Sequence, residues 1–172
     1  DGWIKRQLSF TDIEKIRIRE GDSIGWVART NTRSTITFFG DRGAAFVMRI
    51  ADLPSTTGYG EPVQRHFKFA DGERVVGVIA HDPRSLPDIA EDLLVSASDG
   101  EDDEPIPPPP HGVAVTRKGR CVRFALTTHS EVSNKNGRRY IRVNGADDSV
   151  VAVYLCDTSE HMSIASEGGR AL

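Results

Sequence analysis

The sequence lacks the marks of several protein classes. No apolar run approaches the roughly 18 residues that a membrane helix needs, and no basic stretch leads into an apolar segment as in a signal peptide. Only two cysteines are present, Cys121 and Cys156, and neither has C-x-x-C or Cys/His ligand spacing. The sequence therefore predicts reduced thiols in the core of a bacterial-type cytoplasmic protein, with no disulfide, metal site or membrane partner.

The small net charge of −3 hides a strong asymmetry along the chain. Residues 82–110 contain nine acidic residues and one basic residue, a net charge of −8, while the other 143 residues carry +5. The segment ends in Pro107–Pro110. Because like charges repel and prolines stiffen the chain, we expect residues 82–110 to form an exposed insertion.

Apolar residues alternate with other residues in short runs, which is typical of half-buried strands. Glycine turns separate the runs, which favours hairpins over parallel strands joined by helices. The pattern predicts an all-β fold with strands around Ile36–Phe38, Phe46–Ile50, Val113–Val115, Val122–Leu126 and Val151–Leu155.

Two elements recur along the chain. The first element is a hairpin, in which a strand is followed by a tight charged turn ending in glycine and by a second strand with basic residues. It occupies residues 36–49 and 113–124 and begins again at Met162, and residues 2–6 resemble its second half. An acid-rich turn followed by an apolar strand occupies residues 20–27, 71–78 and 146–153. Gly21 and Gly72 are 51 positions apart, and Gly119 and Gly169 are 50 apart. Such periods indicate propeller-like blades.

We therefore predict a partial, hairpin-built β-propeller with about three four-stranded blades of a longer array. Residues 1–81 would hold the end of one blade and a complete blade, residues 82–110 the acidic inter-blade insertion, and residues 111–172 a further blade and the start of the next.

Four motifs resemble those of a known family: Gly2-Trp-Ile-Lys-Arg6, Thr35-Ile-Thr-Phe-Phe-Gly-Asp-Arg-Gly43, Arg49-Ile-Ala-Asp-Leu-Pro54 and Asp71-Gly-Glu-Arg-Val-Val-Gly-Val78. Together they resemble the C-terminal β-pinwheel domain of the A subunits of bacterial DNA gyrase and topoisomerase IV. The resemblance implies sequence-independent binding and bending or wrapping of duplex DNA by a non-catalytic, nucleoid-associated module without its own cofactor. It also implies an N-terminal breakage-reunion domain on the same chain and an ATPase B-type subunit in an A2B2 holoenzyme that uses ATP and Mg²⁺.

One part of the family pattern is missing. Gyrase-type domains carry a Gln-Arg-Arg-Gly-Gly-Lys-Gly box in the first blade, whereas the corresponding interval here reads Leu8-Ser-Phe-Thr-Asp-Ile-Glu-Lys-Ile-Arg-Ile-Arg19. Gly2 and Gly21 are only 19 positions apart, against 29 for Gly43 and Gly72. The absence favours topoisomerase IV or a divergent paralogue over gyrase.

Binding along a duplex backbone needs a track of cations, since each neutralised phosphate releases counterions. Basic residues recur here in the hairpin strands and in three links that follow the hairpins. The first link holds Lys15, Arg17 and Arg19, the second covers residues 58–68 and the third covers residues 134–142. Lys135, Arg138 and Arg139 of the third link are the leading candidates. The other predicted DNA-binding residues are Arg142, Arg65, Lys68, Tyr59, Lys15, Arg17, Arg19, Lys5, Arg6, Arg42, Arg49, Lys118, Arg120 and Arg123.

Two other functions are consistent with parts of the sequence. A protein-interaction propeller without DNA binding would use Pro107–Pro110 as a docking segment. A hydrolase would use Ser23, because Gly21-Asp-Ser-Ile-Gly25 matches the G-x-S-x-G pattern. That motif requires a helix after the serine, whereas Ser23 aligns with Arg74 and Ser149 in repeated turns that lead into strands, so we interpret it as a turn residue.

Overall fold

The computed structural model describes residues 2–86, 109–145 and 147–156, together with positions 163, 165 and 168. Within these residues the chain forms short strands and 3-10 helices of three residues each. The strands are β1 (Trp3–Ile4), β2 (Thr35–Gly40), β3 (Ala44–Arg49), β4 (Glu61–Pro62), β5 (Val75–Ala80), β6 (His111–Thr116), β7 (Cys121–Ala125), β8 (Arg138–Arg139) and β9 (Val150–Cys156). The 3-10 helices are Ile13–Lys15, Ile50–Asp52, Val63–Arg65 and Thr127–His129.

The strands form three antiparallel sheets, which confirms the all-β prediction. Strands β1 and β4 form the first sheet, β5-β2-β3-β8 the second and β7-β6-β9 the third. The hairpins β2–β3 and β6–β7 are the two copies predicted from the repeat, and β5 and β9 are the strands that follow the acid-rich turns.

Strand β2 has no solvent face, because its two faces pack against different neighbours. Phe39 lies in a core with Phe124, Leu126 and Val153 of the neighbouring blade, the one that contains β6, β7 and β9. Phe38, on the opposite face, lies in a second core with Val63, Phe67 and residues near β1. Since successive side chains of a strand point to opposite faces, the sheet that contains β2 packs its two apolar faces against different neighbours.

We call β4 and β8 the exchanged strands, because each follows one hairpin in the chain but pairs with the sheet of the preceding blade. The sequence did not predict them. Strand β8 follows the hairpin β6–β7 in the chain but pairs with β3 of the hairpin β2–β3, in the register Ala44↔Arg139 and Ala45↔Arg138. In the same way, β4 follows the hairpin β2–β3 in the chain but pairs with β1, in the register Trp3↔Pro62 and Ile4↔Glu61. Each exchanged segment therefore completes the sheet of the blade before it.

Buried contacts hold the exchanged strand β8 in place. The Tyr140 hydroxyl donates to the Gly40 carbonyl at 2.8 Å, and the Tyr140 amide donates to the Gly43 carbonyl at 3.0 Å. Burial raises the pKa of the Tyr140 phenol above its ordinary value. Gly43 has φ +91°, and a Cβ there would lie 2.4 Å from the Ile141 carbonyl oxygen, so only glycine fits this turn.

The predicted strand at Trp26–Val27 is wrong. This segment is the third copy of the element that forms β5 and β9, yet residues 21–30 form no strand. In the other two copies the partner is the first strand of a hairpin, β2 for β5 and β6 for β9. Trp26 and Val27 pair with no described strand and are half exposed, at 50% and 48%.

Two further predictions require correction. Cys121 is exposed rather than in the core, because it begins the edge strand β7. The ends of the predicted insertion 82–110 are exposed at residues 83–85, as predicted, but buried at Asp82 and Pro109. Asp82 is buried and accepts hydrogen bonds from Arg84 and Asn31, and the Pro110 carbonyl accepts from the Leu126 amide.

The remainder of the predicted insertion, residues 87–108, lies outside the described residues, as does most of the hairpin predicted from Met162. Within the part of the chain that is described, no helix is long and apolar enough to cross a membrane.

Candidate nucleic-acid interface

The first group of candidate residues lies where the first link meets the second. We call Lys5, Arg17, Arg19, Gly58 and Tyr59 the first seam. The Lys5 ammonium donates to the carbonyls of Arg17 at 2.7 Å and Gly58 at 2.6 Å, so it joins the two links. Burial and the nearby Arg17 charge lower the pKa of Lys5.

Two arginines of the first seam stack on aromatic rings. The Arg17 guanidinium lies 5.2 Å from the centroid of the Tyr59 ring, and the Arg19 guanidinium lies 4.6 Å from the centroid of the Trp3 ring. Arg17, Arg19 and Tyr59 are all exposed. Stacking on Tyr59 holds the Arg17 guanidinium by its face, and the donors along its edge can still reach a further acceptor.

The second group lies where the second link meets the third. We call Lys68 and Lys135 the second seam. The Lys68 amide donates to the Lys135 carbonyl at 2.8 Å, which fixes the two backbones side by side. Lys135 is in the turn Asn134–Gly137, in which the Gly137 amide donates to the Asn134 carbonyl at 3.1 Å and the Asn136 amide to the Asn134 carboxamide oxygen at 2.9 Å.

Several predicted DNA-binding residues use their donors inside the protein. Arg138 donates to the carbonyls of Thr128, Glu131 and Val132 at 3.1, 3.4 and 3.4 Å, and so braces the link that leads into β8. Arg6 donates to the Leu53 carbonyl, Arg42 to that of Asp71 and Arg120 to that of Arg142. These residues keep their charge, but fewer of their N–H groups are available to a ligand.

Two further candidates are neutralised by carboxylates. Arg65 pairs with Glu61 at 3.1 Å, and the other oxygen of Glu61 lies 2.6 Å from the His66 ring nitrogen. Lys118 pairs with Asp147 at 2.6 Å. The basic candidates that are exposed and make no side-chain hydrogen bond or ion pair within the described residues are Lys15, Arg17, Arg49, Lys68, Arg123, Lys135, Arg139 and Arg142.

This arrangement suits contacts to a nucleic-acid backbone rather than to base edges. The helices of the described residues are three residues long, which is too short for a recognition helix in a major groove. Among the same residues, no group of three or more His, Cys, Asp or Glu side chains could hold a metal ion.

Ser23 has none of the surroundings of a nucleophile. It is exposed, and its amide donates to the Asp22 carboxylate at 2.9 Å in a local turn. A groove of about 570 Å³ lies between β5, β9 and Trp26–Arg29, but Ser23 does not line it. The turn interpretation of Ser23 agrees with this geometry.

Comparisons with known proteins identify one relative by sequence and similar folds among solved structures. A stretch of 78 residues, 45% of the chain, is 28% identical to the A subunit of DNA topoisomerase 4 from Caulobacter vibrioides. The E. coli ParC C-terminal domain matches 99% of the chain with a TM-score of 0.71 at 15% identity, and a C-terminal domain of DNA topoisomerase IV matches 100% with a TM-score of 0.72 at 18% identity. The fold is that of a topoisomerase IV C-terminal domain. The resemblance found in the repeats, and with it the β-pinwheel fold, is confirmed.

The chain covers only part of each of these proteins. It spans 10% of the Caulobacter topoisomerase protein, 59% of the ParC domain chain and 48% of the other topoisomerase IV chain. No protein-family model matches it.

The seams themselves were not visible to sequence reasoning. Lys68 and Lys135 were both predicted, but as members of separate links 67 positions apart. The available signal is a glycine with positive φ that precedes each exchanged strand, Gly60 at φ +88° and Gly137 at φ +70°. The Gly-x-x-apolar motif that the two copies share, Gly60-Glu-Pro-Val63 and Gly137-Arg-Arg-Tyr140, could have indicated where one link crosses to the previous blade.

Proposed function

We propose that this chain binds and bends duplex DNA without sequence preference, as the C-terminal domain of the A-type chain of a type II DNA topoisomerase. The observation that carries the proposal is that exposed basic residues of successive links meet where blades join. The similarity to topoisomerase IV C-terminal domains supports the same conclusion.

The physical basis is release of counterions from the phosphate backbone. A duplex carries a dense, regular negative charge, and each phosphate neutralised by a lysine or arginine frees condensed cations. Cations repeated with the blades of a curved array can follow a bent duplex, which needs no reading of bases. The module itself would be non-catalytic and would need no cofactor.

The proposal extends to the protein that would carry this domain. We infer a breakage-reunion domain on the same chain and a partner ATPase of the B type, with ATP and Mg²⁺ used by that holoenzyme in the bacterial cytoplasm. Because the gyrase-type box is absent, we expect relaxation or decatenation rather than strong negative supercoiling. Topology assays with the B-type ATPase would test this, and efficient supercoiling of relaxed plasmid would contradict it.

DNA binding is tested directly by titrating fluorescent duplexes of unrelated sequence at several salt concentrations. We expect equal affinities for all sequences and a linear fall of log affinity with log salt, with a slope of about −0.9 for each phosphate contacted. A flat salt response would contradict the proposal and favour a protein-interaction module. A strong preference for one short sequence would contradict it as well.

A further inference from the structure

We propose that Lys68 and Lys135 together hold a single phosphate group of duplex DNA at the second seam. The proposal rests on the DNA-binding function proposed above, and it assigns a specific site to it. It starts from the hydrogen bond between the Lys68 amide and the Lys135 carbonyl, 2.8 Å long, which joins residues of two different blades.

The backbones at this site are fixed before any ligand binds. Lys135 is in a turn closed by the Asn134–Gly137 hydrogen bond, and the next residues of the chain form β8 against β3. Ser133 adds two hydrogen bonds to Val47 of the previous blade, one through its amide at 3.1 Å and one through its hydroxyl at 3.0 Å. The two lysines therefore project from a preorganised junction rather than from a loose loop.

The charges at this site are uncompensated. Lys68 and Lys135 are exposed, and neither forms an ion pair with a described carboxylate, whereas Arg65 and Lys118 do. Like charges on neighbouring exposed side chains repel each other, at a small cost in free energy. An anion held between the two ammonium groups removes that cost, and a phosphate diester is the anion that a DNA-binding module meets.

The first seam repeats the arrangement one blade earlier. Gly58 stands two residues before Gly60, as Lys135 stands two residues before Gly137, and its carbonyl is also bonded across the junction, to the Lys5 ammonium at 2.6 Å. Beside it the Arg17 guanidinium stacks on Tyr59. Both junctions thus gather cations at the same point of the repeat, so phosphate contacts would recur with the blades.

The test is a double-mutant cycle in the intact protein with K68Q, K135Q and K68Q/K135Q, because glutamine keeps most of the side chain and removes the charge. Matched controls are R74Q and R117Q, two exposed arginines of the strand-connecting turns that lie outside the candidate interface. Thermal melting of each variant verifies the fold. Duplex affinity is measured across a series of salt concentrations.

We expect the double variant to lower the magnitude of the salt slope by about 0.9, the value for one phosphate. Its loss of affinity should be smaller than the product of the two single losses, because either substitution already disrupts the shared contact. A slope change near twice that value with multiplicative losses would overturn the proposal, since the lysines would then hold separate phosphates. Losses no larger than those of the controls would overturn it as well. If the parent protein shows no salt-dependent binding, the proposed function itself fails.

Discussion

At the scale of single residues, His81 and His129 place two titratable rings at the junction of the second and third blades. The Thr37 hydroxyl donates to the His129 carbonyl at 2.7 Å, so its oxygen accepts from the His81 Nε2–H, also at 2.7 Å. Burial, more than the nearby His129, lowers the pKa of His81 to about 4. Burial and the Arg138 charge also lower the pKa of His129.

These shifts predict that acid destabilises the fold. In the unfolded chain His81 titrates near its ordinary pKa of 6.5, so between about pH 6.5 and 4 the unfolded state binds more protons than the folded state. The stabilisation from neutral His81 is therefore complete above pH 6.5 and is lost as the pH falls towards 4. From pH 7 to pH 5 this costs about 1–2 kcal/mol, after allowance for the exposed part of the ring.

Urea unfolding of the parent and of H81Q at pH 7 and pH 5 measures this contribution. The glutamine amide can still donate to Thr37 but cannot titrate, so the loss of stability between the two pH values should be smaller in H81Q by about 1–2 kcal/mol. The His129 contribution remains in both proteins and serves as an internal reference. An unchanged pH dependence in H81Q would contradict the assignment to His81.

At the scale of secondary-structure elements, the pairing of β8 with β3 depends on Gly137. This residue has φ +70°, and a Cβ there would lie 2.7 Å from the Ala45 carbonyl oxygen and 2.9 Å from the Phe46 ring. Gly119 is a matched control, since it has φ +81° but nothing within 4 Å of its added Cβ. G119A measures backbone strain alone, whereas G137A adds a collision with the strand that β8 pairs with.

We expect G119A to cost about 1 kcal/mol and G137A at least about 1 kcal/mol more, measured as free energies of unfolding. In G137A, hydrogen exchange should accelerate at Ala45, which lies opposite Arg138 of β8, and remain slow in β6. Equal destabilisation by the two substitutions would mean that β8 does not need the close approach at Gly137.

The elements that the sequence predicted correctly carry a pattern within their own residues or the turn beside them. Strands β2, β3, β6, β7 and β9 were predicted from an apolar period of two, and β5 from the acid-rich turn that precedes it. Strands β4 and β8 are two residues long and polar or charged, and their pairing depends on a neighbouring blade. An apolar period cannot reveal them, and the local signal that remains is the glycine before each strand, Gly60 or Gly137.

The candidate interface was predictable only in part, for a related reason. Composition and repetition identified the basic links. Whether the N–H groups of each basic side chain are available to a ligand depends on contacts with residues far along the chain. Arg138 has the same local context as Arg139, yet it donates to three backbone carbonyls, while Arg139 makes no side-chain hydrogen bond within the described residues. The proximity of Lys68 to Lys135 follows from the strand exchange and not from spacing.

At the scale of the whole molecule, charge is divided between a basic body and one acidic segment. Asp82 accepts hydrogen bonds from the Arg84 guanidinium at 3.0 and 2.6 Å, which hold the pKa of the Asp82 carboxyl far below its usual range. These two charges compensate each other. The eight acidic residues of 87–108, with no basic residue among them, therefore carry the whole net charge of −8.

We expect this segment to restrain DNA binding by competing with phosphates for the basic links. Replacing residues 87–108 by a Gly/Ser segment of the same 22 residues should tighten duplex binding, and more strongly at low salt than at high salt. The reason is screening, because attraction between exposed charges fades once the Debye length falls to about 8 Å, near 0.15 M salt. Affinity for a fluorescent duplex at about 50 mM and about 300 mM salt measures the difference, since the Debye length at these concentrations lies on either side of that value.

A second variant separates charge from chain flexibility. Substituting the eight acidic residues of 87–108 by asparagine or glutamine keeps the length and most of the native sequence, and it should reproduce the effect of the Gly/Ser replacement. Tighter binding by the Gly/Ser variant alone would assign the restraint to the bulk or stiffness of the native segment. Unchanged affinity of both variants at low salt would mean that residues 87–108 act only as a spacer, because eight negative charges that reached the basic links would weaken phosphate binding there.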